Sequence, residues 1–423
     1  MIKRILLCLV VFCTLSVNAM AAVPIIVSLG PLGSILNVVN TLGGTVLDQI
    51  PGTKIYLLSL PNVPIVSPLL QSLLGITSIE KDKLIAVPGL PHGGLITIGS
   101  TTAVDWYKAQ PALQKIRVTS AQSYSRGAGI VIADLNSAVD FAHPALAGHL
   151  TGGYDFVASR SGYAGTLNQS DAAFIDQSDA AFIDQSDAAF IDQSDATFID
   201  QSGAVFIGKT ASALVNNPNP AYGHGTLCAG VIAAVAPGAT VMPLRVFDSS
   251  GQSDVFSIAK AIYYAVQNGA RVINLSFGMN GPYSSIQSGL AFAASNHAVV
   301  VASAGNQSIQ TPQFPASVSS VISVAATNIN DVRASFSNYG STVYVTAPGV
   351  NIISAYPGGY YDIVSGTSFS APIVAAEAAL IMAVKTSDPR TVIGAAVVNI
   401  NAQNPSYVGL LGKGRVDIQS AVH

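Results

Sequence analysis

The stretch Ser365, Gly366, Thr367, Ser368, Phe369, Ser370, Ala371, Pro372 decides how the rest of the chain is read. It sets a serine between a tight glycine turn and an apolar helix. A helix N-terminus presents free backbone N–H groups and a positive dipole end, which suits the oxyanion formed when a serine hydroxyl attacks a carbonyl. Taken alone, Ser368 serves equally well as a helix cap. Two upstream segments give it partners. Gly223, His224, Gly225, Thr226, Leu227, Cys228, Ala229 and Gly230 place a general base at the head of a second small-residue helix, and Ser303, Ala304, Gly305 and Asn306 offer an amide donor.

In the order His224, Asn306, Ser368, these three blocks resemble the subtilisin-like serine proteases. Residues 272–278 are similar to that family's substrate-binding strand, Val235, Ala236 and Pro237 to its turn after the histidine, and residues 412–422 to its closing helix. The resemblance covers about residues 105 to 420. It implies a three-layer α/β domain with a mostly parallel sheet, in which residues 131–135, 241–246, 272–275 and 298–302 are buried strands. Catalytic residues are expected at the carboxyl ends of such strands. On this resemblance Ser368 attacks the scissile carbonyl, His224 acts as general base and then acid, and the Asn306 amide with the Ser368 N–H holds the oxyanion. Ser276, Phe277, Gly278 and Ala302, Ser303, Ala304 are expected to wall the pocket for the substrate side chain before the cleaved bond. Nothing charged lines these segments, which points to an apolar preference.

One position departs from the family. The gapless match over residues 127–144 puts Asn136 where the catalytic aspartate belongs, and Asn136 is then expected to orient His224. Asp134 lies two residues earlier on the same face of the strand. It stands about 7 Å further along, too far to reach the imidazole unless a bulge slips the strand by two residues. In Ser/His/Asp sites, subtilisin included, loss of the acid alone costs about four orders of magnitude and leaves substantial residual catalysis. Two readings therefore stay open: a weakened endopeptidase, and a catalytically impaired pseudoprotease acting as a binding or inhibitory protein. A sedolisin-like acid protease shares the Gly-Thr-Ser block but uses a glutamate in place of the histidine, and His224, Gly225, Thr226 and Asn306 argue against it.

Residues 1–21 carry Lys3 and Arg4, an apolar core from Ile5 to Val17, and the small-residue site Ala19, Met20, Ala21. That pattern is a secretory signal peptide, too short to span a bilayer, which needs about 20 apolar residues. Secretion is the expectation, outside the cell or into a periplasm, with no membrane attachment after its removal. Cys8 and Cys13 leave with it, and Cys228 alone cannot form an internal disulfide. Cys228, one helical turn past His224, reads as a small buried side chain, as proteinase K-like members of the family carry at that place. Glu377, nine residues after Ser368 and about 13 Å along the same helix, is out of reach of the histidine. Charged residues make up 10% of the chain with a net charge of −3, far below the usual quarter. Nucleic acid is excluded as a partner, and the composition is compatible with acidic surroundings.

Residues 22–86 alternate short apolar runs and helical ones in the order β, α, β, β, α, β. This is a small ferredoxin-like α+β unit that resembles the propeptide which chaperones and then caps family members; an ordinary accessory domain is the alternative. Residues 87–104 form a Pro/Gly-rich linker before a peptidase domain over 105–423. Residues 168–207 repeat an octad five times, from NQSDAAFI to DQSGAVFI, with eight aspartates and no lysine or arginine. An even period keeps every Phe on one face of a strand, whereas on a helix it spreads them around the axis. A solvated loop lengthened by duplication is expected, with a calcium array as the alternative; only Gly203 supplies the glycine that sharp calcium loops need. The chemistry requires no cofactor, metal ligands are not legible, and structural calcium is compatible. Partners are protein or peptide substrates and the chain's own propeptide, on a monomer.

Overall fold

The computed structural model describes residues 22–86, 92–96, 107–161, 223–248 and 251–423. The expected leader and the octad repeat lie outside these residues. The chain divides into two compact units, Met1–Lys81 and Asp82–His423.

In the smaller unit, β1 (Val23–Leu29), a helix at Ile35–Leu42, β2 (Thr45–Gln49), β3 (Ile55–Leu60), a helix at Pro68–Leu74 and β4 (Ile76–Lys81) follow one another. The strands pair antiparallel in the order β2-β3-β1-β4, a ferredoxin-like sheet. Alternate residues Ile25, Val27 and Leu29 of β1 join Val38, Leu58, Leu60 and Ile76 in one core. Both helices end on glycine, Gly43 at φ 71° and Gly75 at φ 67°, in the left-handed region where a side chain is strained.

The larger unit begins with β5 (Leu84–Ala86) and β6 (His92–Ile96), continues through β7 (Val131–Asn136), β8 (Tyr154–Asp155), β9 (Arg160–Ser161), β10 (Thr240–Arg245), β11 (Gln252–Asp254), β12 (Val272–Leu275) and β13 (Val299–Ser303), and closes with β14 (Ile322–Thr327), β15 (Val345–Pro348), β16 (Ile352–Tyr356), β17 (Tyr360–Val364), β18 (Val397–Val398) and β19 (Arg415–Val416). Among the described residues ten strands form one sheet in the order β18-β19-β15-β14-β13-β12-β7-β10-β8-β9. All its pairings are parallel except those of the edge strands β18 and β9. β12 and β14 are buried along their whole length, as expected of parallel strands covered by helices on both faces. A histidine helix (His224–Val235) and a serine helix (Thr367–Met382) pack on each other and on the sheet; helices at Val255–Gln267 and Ser284–Ser295 form the other layer.

Two segments of the expected propeptide end and linker pair with the larger unit. β5 lies antiparallel to β11, which is why the division falls at Lys81 and not at residue 86. β6 lies antiparallel to β17, as an outer strand of a three-stranded sheet, despite its two glycines. Main-chain bonding to an open sheet edge overrides local composition.

The serine helix is apolar all round, which marks a central helix, yet it carries Glu377 at 0% exposure. Neither carboxyl oxygen of Glu377 has a hydrogen-bond partner among the described residues. Burial, then the nearby Asp417 charge, pushes its carboxyl well above the usual range. The native state therefore holds a proton that the unfolded chain releases near pH 4.5, so stability falls as pH rises above that value. Glu377→Met is expected to raise stability at pH 8 by about 1–3 kcal/mol and to flatten the decline of Tm between pH 5 and pH 8. Thermal melts of both proteins at the two pH values check this.

Candidate active site

The chain runs from β7 to β10 on one side and then crosses to β12 on the other, so β7 marks the point where the strand order reverses. Ligand sites of open parallel sheets form at the carboxyl ends of strands at such a point. Asn136 is the last residue of β7, Ser276 follows β12, and Asn306 lies three residues beyond β13.

β7 reads VIADLN, an apolar strand interrupted by two polar residues on one face. Both are buried, Asp134 at 1% and Asn136 at 2%. The strand pairs residue for residue with β10 and β12, with no bulge to slip Asp134 forward. Asn136, not Asp134, meets the histidine: His224 Nδ1 lies 2.5 Å from Asn136 Oδ1. The Ser137 N–H donates to the same Oδ1 at 2.9 Å. Asn136 Nδ2 donates to both carboxylate oxygens of Asp134, at 3.3 and 3.2 Å, and Asn274 Nδ2 donates to Asp134 Oδ1 at 2.7 Å. Because Oδ1 can only accept, His224 Nδ1 must carry the proton, which leaves Nε2 as the base. Burial pushes the Asp134 carboxyl up to about 7, against the two amide donors that hold it down.

The histidine helix starts at Gly223, whose φ of 79° turns the chain inward. Gly225 lets that helix approach β7 closely: a Cβ there would come within 2.5 Å of the Ser137 carbonyl oxygen. The Gly225 N–H donates to Ser137 Oγ at 3.0 Å. The His224 ring centroid sits 6.0 Å from that of Phe369, so the histidine stands over the first turn of the serine helix.

Pro372 lies inside the serine helix and has no N–H for the carbonyl four residues earlier. That carbonyl belongs to Ser368. It accepts instead from Ser276 Oγ at 2.9 Å and from the Cys228 thiol at 3.5 Å. Ser368 Oγ donates to the Ser276 carbonyl at 3.1 Å. Cys228 Sγ also lies 3.8 Å from His224 Nδ1, so it bridges the two helices. Burial, then the Asp134 charge, raises its thiol well above the ordinary value, which suits an inert packed side chain and not a nucleophile.

Asn306 Oδ1 accepts from the Thr367 N–H at 2.9 Å and from Thr367 Oγ1 at 2.8 Å. These two donors fix the amide orientation and turn Nδ2 away. Nδ2 is buried and has no hydrogen-bond partner among the described residues. A pre-oriented, unsatisfied donor beside a helix N-terminus is what a developing oxyanion requires.

Leu275 and Ala302 pair across β12 and β13, so Ser276, Phe277, Gly278 and Ala302, Ser303, Ala304 run side by side. Phe277 turns inward and packs edge-on against Phe247 at 5.2 Å. Asn274, Ser137 and Thr367 were not singled out by sequence reasoning, although each sits within two residues of one that was. Glu377 lies apart from the site, in the helix interior. Among the described residues no group of three or more His, Cys, Asp or Glu side chains is placed to hold a metal ion, and no helix is long and apolar enough to cross a membrane.

The subtilase family model matches residues 127–414. Thermitase of Thermoactinomyces vulgaris is 34% identical over 320 residues, covering 73% of this chain and 94% of that protein. Subtilisin Savinase of Lederbergia lenta is 37% identical over 208 residues, covering 47% of this chain and 77% of that protein. Among solved structures, fervidolysin of Fervidobacterium pennivorans, described as a keratinolytic enzyme related to subtilisin, superposes with a TM-score of 0.70 at 23% identity, over 96% of this chain and 62% of its own. With the sheet, the paired helices and the buried polar residues at the ends of β7 and β12, these similarities place the chain in the subtilase family of serine-type hydrolases.

Proposed function

We propose that this chain is a secreted endopeptidase of reduced turnover that uses Ser368 as nucleophile and His224 as base, with Asn136 in the place of the acid. The contact between His224 Nδ1 and Asn136 Oδ1 carries the reading. As Ser368 Oγ attacks the scissile carbonyl, its proton passes to His224 Nε2, and the new charge on the substrate oxygen takes hydrogen bonds from Asn306 Nδ2 and the Ser368 N–H. His224 then returns the proton to the leaving amine. Asn136 keeps the tautomer that this sequence needs but brings no charge to the imidazolium, so the cost falls on turnover and not on binding.

The uncharged segments at 276–278 and 302–304 favour apolar side chains in protein or peptide substrates. Residues 1–21 serve as the leader and residues 22–86 as a propeptide; the mature protein is a monomer in which calcium is at most structural. Asn136 also favours a second reading, a pseudoprotease that binds its targets without cleaving them.

A fluorophosphonate separates the two. The protein is expected to be labelled slowly at Ser368, found by peptide mass mapping, and Ser368→Ala should remove the label; no labelling after long exposure puts the binding reading first. Asn136→Asp is expected to raise turnover of an apolar peptide ester by about two to four orders of magnitude, measured as kcat. Asn306→Ala should lower kcat by about 10²–10³ with little change in KM.

A further inference from the structure

Asparagine in place of the acid raises a problem that the aspartate does not. A carboxylate presents the same oxygen whichever way it turns, whereas an amide presents either an acceptor or a donor to the imidazole. If Asn136 turned its Nδ2 to the histidine, Nδ1 would have to accept, the ring proton would move to Nε2, and Nε2 could no longer take a proton from the nucleophile. That is the wrong-tautomer failure known for asparagine at this position in serine proteases.

We propose that Asp134 is a positioning residue that acts through Asn136, holding the amide nitrogen so that Oδ1 faces His224 and the neutral ring keeps its proton on Nδ1. This rests on the protease reading above. The geometry is specific. Both Asp134 oxygens lie within 3.3 Å of Asn136 Nδ2, and Asn274 Nδ2 fixes the carboxylate from β12 at 2.7 Å. Asn274 is held in turn, since its Nδ2 also donates to Ser276 Oγ at 2.9 Å. A chain of hydrogen bonds thus runs from Ser276, against the carbonyl of Ser368, through Asn274, Asp134 and Asn136 to His224. Asp134 accepts from two amide nitrogens, Asn136 Nδ2 and Asn274 Nδ2, an arrangement that suits the ionised carboxylate. The titratable groups packed near it are His224 and Cys228 on the histidine helix; β10 presents only Pro243 opposite it. Ionised, the carboxylate one amide away also supplies a negative charge behind the imidazolium that forms during the reaction, since Asn136 supplies none.

An aspartate buried in the middle of a parallel strand needs a reason, because the uncompensated charge is costly there. The amide-orienting role supplies one. The other group that bonds to it, Asn274 on β12, is an amide that also reaches Ser276 Oγ.

The test compares Asp134→Leu in two backgrounds and reads the histidine directly. With Asn136 present, the substitution is expected to lower kcat about 10–100-fold, as loss of an orienting partner commonly does, with KM changed less than about twofold. In the Asn136→Asp background the same substitution should cost less than about threefold, because a carboxylate at 136 needs no orientation. The ¹⁵N spectrum of the His224 ring at a pH where it is neutral should show the Nδ1–H tautomer in the parent and a substantial Nε2–H population in Asp134→Leu. Equal losses in both backgrounds, or an unchanged tautomer, would overturn the proposal and leave Asp134 as plain core support. If the parent fails to label with fluorophosphonate, the protease reading fails by itself, and the tautomer measurement still decides the role of Asp134. Asp134→Ser supplies the second variant should leucine prevent folding.

Discussion

The hydrogen bond between His224 Nδ1 and Asn136 Oδ1 is the constraint around which the larger unit is arranged. It joins the end of a central strand to the start of a central helix. Both partners are buried, so neither tolerates a missing partner without a desolvation cost of about 1–3 kcal/mol. Glycine at 225 lets the helix come close enough, the Ser137 backbone and Asp134 hold the amide, and the reversal of strand order at β7 opens the space above it.

The serine side of the site is held by a complementary device. Pro372 removes one helical hydrogen bond, and the released carbonyl of Ser368 is taken up by Ser276 from β12 and Cys228 from the histidine helix. One broken rung of a helix thereby ties three elements together at Ser368. Thr367 does the same at the neighbouring loop by fixing Asn306 through its oxygen. These are polar contacts between residues that the apolar packing has already brought within reach. The packing supplies the bulk of the stability and the polar contacts supply the geometry.

Two buried carboxyls set the unit apart from an ordinary apolar core. Asp134 accepts from two side-chain amides, whereas Glu377 has no protein partner among the described residues. Both are shifted upward by burial, and both therefore favour the folded state more strongly at acid than at alkaline pH. The low charged fraction of the chain points the same way. Asp134 sits in the hydrogen-bond chain that ends on His224, and Glu377 stands in an all-buried helix with no such connection.

Much of this was legible in the sequence. The three glycine-rich blocks around His224, Asn306 and Ser368 named the fold, because each glycine marks a close approach that few folds require, and the alternation of apolar runs over residues 22–86 gave the ferredoxin-like order. The gapless spacing over 127–144 put Asn136 rather than Asp134 beside the histidine, because a β-strand advances by a fixed rise per residue. Sequence spacing could not reveal that Asp134 would find Asn136 rather than the histidine. That depends on Asn274, 140 residues away and brought beside β7 only when β12 crosses the sheet. Nor could it reveal which way the Asn136 and Asn306 amides turn, since an amide's orientation is set by the donors and acceptors around it and not by its neighbours in the chain. The pairing of β6 with β17 belongs to the same class: glycines and prolines describe a linker, but an open sheet edge far along the chain decides that it becomes a strand.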